Sequence, residues 1–134
     1  MNPPQKDIAE ILVDQGSLSL IIGTNLFHTR MPDSPVDLVC IFDNPGAAPL
    51  LSYDKATSDY YFSSVSVQVR NTSYASAYSQ LFAIFEFLHG ESGIVEAGTL
   101  YMLIKALDDP RLLHYDENDN PVLLVNFEVQ RRDN

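Results

Sequence analysis

Five consecutive residues, Asp116-Glu117-Asn118-Asp119-Asn120, bring enough side-chain oxygens together to hold a hard cation. Asp116, Asn118 and Asn120 fall at the alternate positions that a calcium loop uses. Such a loop also needs a glycine at its sixth position for the sharp turn and a bidentate glutamate at its twelfth. Those positions are Pro121 and Phe127. The stretch therefore reads as a solvated hairpin turn, and no metal is expected.

The other chemistry-bearing residues do not converge along the sequence. His28, His89 and His114 fall in three separate segments, none at ligand spacing from another His or Cys. A small metal-dependent enzyme would have to assemble them by folding. Cys40 lies among Val39, Ile41 and Phe42, the setting of a buried structural thiol. A reactive cysteine needs an electropositive, partly exposed site. No serine sits in a G-x-S-x-G elbow and no glycine-rich phosphate loop occurs. We expect no enzyme and no cofactor. The tyrosines Tyr53, Tyr60 and Tyr61, in or beside a long polar stretch, suit a protein interface, since they bring contact area and a polar tip at low entropic cost. The same rings could equally fold down as a lid on the core.

The elements that must carry these groups follow from periodicity. Residues Gln5 to Asp14 repeat Ile8, Ile11 and Leu12 on one helical face, with Lys6, Asp7 and Glu10 directed elsewhere. Leu18 to Ile22 fits a short strand or a buried connector. Val36 to Asp43 is apolar on both faces, as in a central strand. Ala47 to Asp59 is a long polar loop of the kind that is usually functional. Val65, Val67 and Val69 alternate with Ser66, Gln68 and Arg70, which predicts a half-buried strand. Asn71-Thr72-Ser73 offers helix caps. Tyr74, Ala77, Tyr78, Leu81, Phe85 and Leu88, with Ile84, then recur at helical spacing as one core-facing stripe, and Gly90 stops the helix. Glu91 to Gly98 reads as a loop and Thr99 to Leu107 as a strand. Leu112, Leu113 and Tyr115 approach the core again. Val122 to Arg131 is the last strand, forming a long antiparallel arm with the segment before it. The fold class expected is α+β: a roughly four-stranded, mostly antiparallel sheet with two helices packed on one face, in a single domain spanning residues 1–134.

Composition limits the partners. The chain has 134 residues and a net charge of −10, with only eight Lys and Arg, so it lacks the basic patch that grips a phosphate backbone. One cysteine excludes an internal disulfide. The first residues show no apolar signal segment, and no apolar run is long enough to span a bilayer, so no membrane partner is expected.

The order of these motifs resembles the bacteriophage tail terminator proteins, also filed as tail completion or minor capsid proteins. The likeness rests on Gly23-Thr24-Asn25-Leu26-Phe27, Met31-Pro32-Asp33-Ser34-Pro35 and Phe42-Asp43-Asn44-Pro45-Gly46. It continues through Ser66-Val67-Gln68-Val69-Arg70-Asn71, Tyr74, Ala77 and Leu88-His89-Gly90, and ends in the acidic turn and Asn126-Phe127-Glu128-Val129. Asn71 and the Asn118-Asp119-Asn120 turn depart from it, where glycine is common. The resemblance implies a structural virion protein that acts as a homo-oligomeric ring, a hexamer in this family. The ring caps the tail tube protein, stops its polymerisation and joins the head-completion or connector protein, while double-stranded DNA passes through without specific binding. It implies assembly in the host cytoplasm and a place at the head-proximal end of the tail. On this reading Tyr53, Asp54, Lys55, Asp59, Tyr60, Tyr61, Arg111, His114 and Tyr115 are candidate interface residues. Asp54, Asp59, Asp108, Asp109, Asp116 and Asp119 are candidate lumen charges, because carboxylates would repel passing phosphate. A head-completion or tail tube subunit is the alternative within the virion.

Overall fold

The computed structural model describes residues 1–51 and 59–134. Its elements are α1 (Pro4–Asp14), β1 (Leu26–His28), β2 (Leu38–Asn44), β3 (Tyr61–Arg70), α2 (Tyr74–Leu88), β4 (Ile94–Glu96), β5 (Thr99–Ala106), β6 (Arg111–Tyr115) and β7 (Pro121–Asp133). A single 3-10 turn, Gly16–Leu18, follows α1.

The α+β class is as expected, but the sheet is larger. Seven strands, not four, are present among the described residues, in the order β1-β2-β3-β7-β5-β4, with β6 also paired to β7. All pairs are antiparallel except β1 with β2. The extra strands are short. Neither Leu26–His28 nor Ile94–Glu96, which lies within the expected Glu91 to Gly98 loop, shows a strand pattern in the sequence, because three residues are too few to show a period. The last strand pairs antiparallel with the segment before it, as expected, but it is not confined to that pair. β7 runs through the middle of the sheet, held by β3 along one edge and by β5 and β6 in succession along the other.

Register explains the core. Val39 and Ile41 of β2, Val65, Val67 and Val69 of β3, and Leu123, Val125 and Phe127 of β7 lie opposite one another and share one face. These residues form one buried cluster with Ile8 and Leu12 of α1 and with Ala77, Leu81, Ile84 and Leu88 of α2. Both helices therefore pack on the same face. Tyr101 and Ile104 of β5 complete that core.

The ends of the helices are fixed locally. Pro4 starts α1 at a position where its missing N–H is not needed, and the Gln5 N–H donates to the Asp43 carboxylate at the end of β2, 3.1 Å away. Ser73 caps α2 by accepting from the Ser76 N–H. Gly90, at φ +90°, turns the chain out of that helix in the left-handed region where glycine is unstrained, and its N–H donates to Ile104 of β5. Asp7, placed off the Ile8 stripe by the sequence, does not reach solvent. It is buried, and the Tyr101 hydroxyl donates to it at 2.6 Å.

Candidate functional site

β6 follows β5 through a turn built on Asp108. That carboxylate accepts from the Asn126 backbone N–H at 2.9 Å and from its side-chain amide at 3.0 Å, and lies 3.7 Å from the Arg111 guanidinium. A second turn, built on Asp116, returns the chain to β7. Asp116 accepts from the Asn120 N–H at 2.8 Å, the Asn118 N–H at 2.9 Å and the Asn120 side chain at 3.2 Å. These bonds, the Asn120 N–H first, hold its carboxyl below the ordinary value. The solvated turn read from the sequence is thus an Asx turn, with Asp119 in the left-handed region at φ +60°.

Between these turns β6 is exposed at all five residues. Leu112, Leu113 and Tyr115 do not approach the core as expected; they are 37%, 42% and 54% exposed. The reason is positional. β6 extends the sheet alongside Pro121–Leu124, beyond the end of β5, and its register shifts between Leu112 and His114. The strand is an apolar, partly basic flap with Arg111 and His114 and no acid of its own.

The remaining candidates lie elsewhere. Tyr53, Asp54 and Lys55 fall outside the described residues. Asp59, Tyr60 and Tyr61 lead into β3, with Tyr61 opposite Arg131, and the Arg132 guanidinium sits 5.7 Å from the centre of the exposed Tyr60 ring. That region is at the far end of β3 and β7 from the Asp116 turn, since Arg70 pairs with Val122 and Tyr61 with Arg131. A ten-residue strand separates the two by roughly 33 Å. Asp109 and Asp119 are exposed, whereas Asp108 and Asp116 use their carboxylates on the turns. The candidate acids are therefore spread along the sheet rather than gathered.

His28, His89 and His114 stay on three elements: β1, the end of α2 and β6. Among the described residues no group of three His, Cys, Asp or Glu side chains could hold a metal. Cys40 is buried on β2, where desolvation pushes its thiol up to about 11, so it is a poor nucleophile. A cleft of about 260 Å³ lies between the 33–36 segment and the Asp116 turn. Its only basic lining residue, Arg70, is already committed to backbone carbonyls.

One surface feature differs from the expectation. Tyr74 and Tyr78, expected in the core, are 46% and 39% exposed, and Phe82 beside them is 38% exposed. Only Ala77, Leu81, Ile84 and Leu88 of α2 are buried. In the sequence Tyr74, Tyr78 and Phe82 repeat at intervals of four, one position off the buried row, and spacing alone does not say which of the two rows is covered.

The site is thus a set of uncovered apolar surfaces with charged turns, the anatomy of a protein that works by contact. The sequence matches the bacteriophage tail terminator proteins over residues 8–132. The chain belongs to that family. A tail terminator is a structural component of the phage virion. The tail terminator described here is similar to a chain in the virion of a native gene transfer agent particle, with a TM-score of 0.64 and 16% identity over 96% of this chain and 94% of that one. At that identity the likeness concerns the fold. No curated protein matches the sequence.

Proposed function

We propose that this tail terminator acts as a homo-oligomeric ring that caps the tail tube, stops its polymerisation and presents a face to the head connector, without catalysing a reaction. Family membership over nearly the whole chain carries the reading. The five-residue exposed strand β6, apolar and acid-free on a chain of charge −10, supports it. A contact surface must lose water without stranding like charges. In this reading Arg111, His114 and Tyr115 on β6, with Tyr60, Tyr61 and the 53–55 segment at the other end of the sheet, meet neighbouring subunits, tube or connector. Asp59, Asp109 and Asp119, with Asp54, keep negative charge facing the DNA path. Asp108 and Asp116 add to that field while holding their turns. The ring is six-fold by analogy with the family.

Tail length in particles lacking this protein tests the function, measured by negative-stain electron microscopy. Overlong, unjoined tails are the expected result. Tails of normal length that fail to join heads would transfer the protein to the connector, and normal infectious particles would remove the assignment.

A further inference from the structure

We propose that the exposed aromatic row of α2 is covered by a second copy of this chain, whose Ile21–Ile22 turn seats on it. Tyr74, Tyr78, Phe82, Phe85 and His89 stack in series along the helix, with ring centres 6.5, 6.0, 5.8 and 5.5 Å apart. Phe85 packs against the core and His89 is tied to β5, but the fold does not need Tyr74, Tyr78 and Phe82, because α2 already buries a separate line of Ala77, Leu81, Ile84 and Leu88. The rings hold one another in place, so little side-chain freedom remains to be lost when a partner arrives.

Charge identifies the occupant. The chain carries 18 acids and eight Lys and Arg. Two copies of so acidic a chain meet at least cost where neither presents unpaired carboxylates. Within α2 the only acid is Glu86, and Asp108 and Asp109 share a cleft with the Phe85–His89 end of the row, leaving Tyr74, Tyr78 and Phe82 as the part for contact. The other long acid-free tract is residues 15–29, which contain no Asp, Glu, Lys or Arg. In that tract Ile21 and Ile22 are 60% and 37% exposed, on the turn that leads into β1.

Topology places the two surfaces for a head-to-tail contact. β1 forms one edge of the sheet. α2 packs over β3, β7 and β5, on the other half, and His89 is tied to the end of β5 by the Ala106 N–H. Different patches on opposite halves make a heterologous interface, the kind that builds a ring when its rotation closes rather than a two-fold dimer. The three most exposed rings offer about 80 Å² each for burial, so with the isoleucines they can form the apolar centre, though not the whole, of a standard interface. The inference rests on the ring reading above and names its contact.

Native mass spectrometry of purified protein tests it, with circular dichroism to verify folding. The wild type is expected to oligomerise. Tyr78→Asp/Phe82→Asp and Ile21→Asp/Ile22→Asp are each expected to be folded monomers. Mixed together, they should form a one-to-one dimer, because one intact contact remains between them. If an aspartate variant misfolds, Tyr78→Ser/Phe82→Gln and Ile21→Ser/Ile22→Ser serve instead. A monomeric wild type, a variant that assembles like the wild type, or a mixture that stays monomeric would each overturn the proposal. A ladder variant that still forms wild-type rings would leave the terminator function intact and hand the row to the tube or connector protein. Normal tails in particles lacking the protein would remove the terminator function without touching the self-association result.

Discussion

The Tyr101 hydroxyl and the Asp7 carboxylate, 94 positions apart in sequence, meet at 2.6 Å in the interior and tie α1 to β5. Asn2 adds a second donor to Asp7 at 3.2 Å, and Arg131 holds the Asn2 carbonyl at 2.7 Å and the Ser63 hydroxyl at 3.2 Å. Burial, followed by the bond to Asp7, pushes the Tyr101 hydroxyl well above its ordinary range, so it donates at every physiological pH. Replacing Tyr101 by Phe keeps the ring volume and leaves the carboxylate short of its strongest donor. The expected cost is about 1–3 kcal/mol, seen as a drop of several degrees in Tm with the oligomeric mass unchanged.

Arg70 organises the opposite face. Its guanidinium donates to the carbonyls of Val36 at 3.0 Å, Pro32 at 2.7 Å, Pro35 at 2.9 Å and Asp33 at 3.3 Å. The donors sit on two nitrogens of one rigid plane, Nε toward Val36 and Nη2 toward Pro32 and Pro35, a span that the single nitrogen of a lysine cannot cover. Arg70→Lys should therefore destabilise the fold by about 2 kcal/mol in urea titration, and hydrogen exchange should quicken first where the 32–37 segment packs on the sheet.

Gly46 is required for a close approach rather than for an unusual backbone angle. A Cβ at this position would meet the Phe62 carbonyl oxygen at 2.5 Å and the Ser63 Cα at 3.0 Å. Both are backbone atoms of β3 and cannot rotate away. Gly46→Ala should lower stability by about 1–3 kcal/mol, the usual cost of overpacking, read as a lower Tm. Gly16, whose added Cβ would meet nothing within 4 Å, is the matched control and should tolerate alanine far better.

Glu96 supplies a pH test. Desolvation first, then the charges of Asp14, Asp7 and Glu10, raise its carboxyl above the ordinary 4.5. A raised folded-state value means that the folded protein favours the protonated form. Its contribution is full below pH 4.5 and is lost as pH rises through the folded value, so ionised Glu96 destabilises the protein at neutral pH. Glu96→Gln should raise Tm slightly at pH 7, and the gain should fade as pH approaches the ordinary carboxylate value. A gain that is equal at acid and neutral pH would show that ionisation of Glu96 is not the cause.

Local sequence determined the principal elements of this protein. Both helices, the valine strand before α2, the Ser73 cap, the Gly90 stop and the acidic turn are set by period and by residue type, which act within a few positions. The order of those motifs also carried the family. Tertiary structure decided the rest. β7 became the centre of the sheet because β3, β5 and β6 all pair with it, and such long-range pairing leaves no mark on local periodicity. Asp7 went inward because a tyrosine on a distant strand could satisfy it. α2 is apolar around too wide an arc for its pattern to name the buried row. The packing surface of β3, β7 and β5 accepts the smaller aliphatic side chains, and the aromatic row is left facing outward.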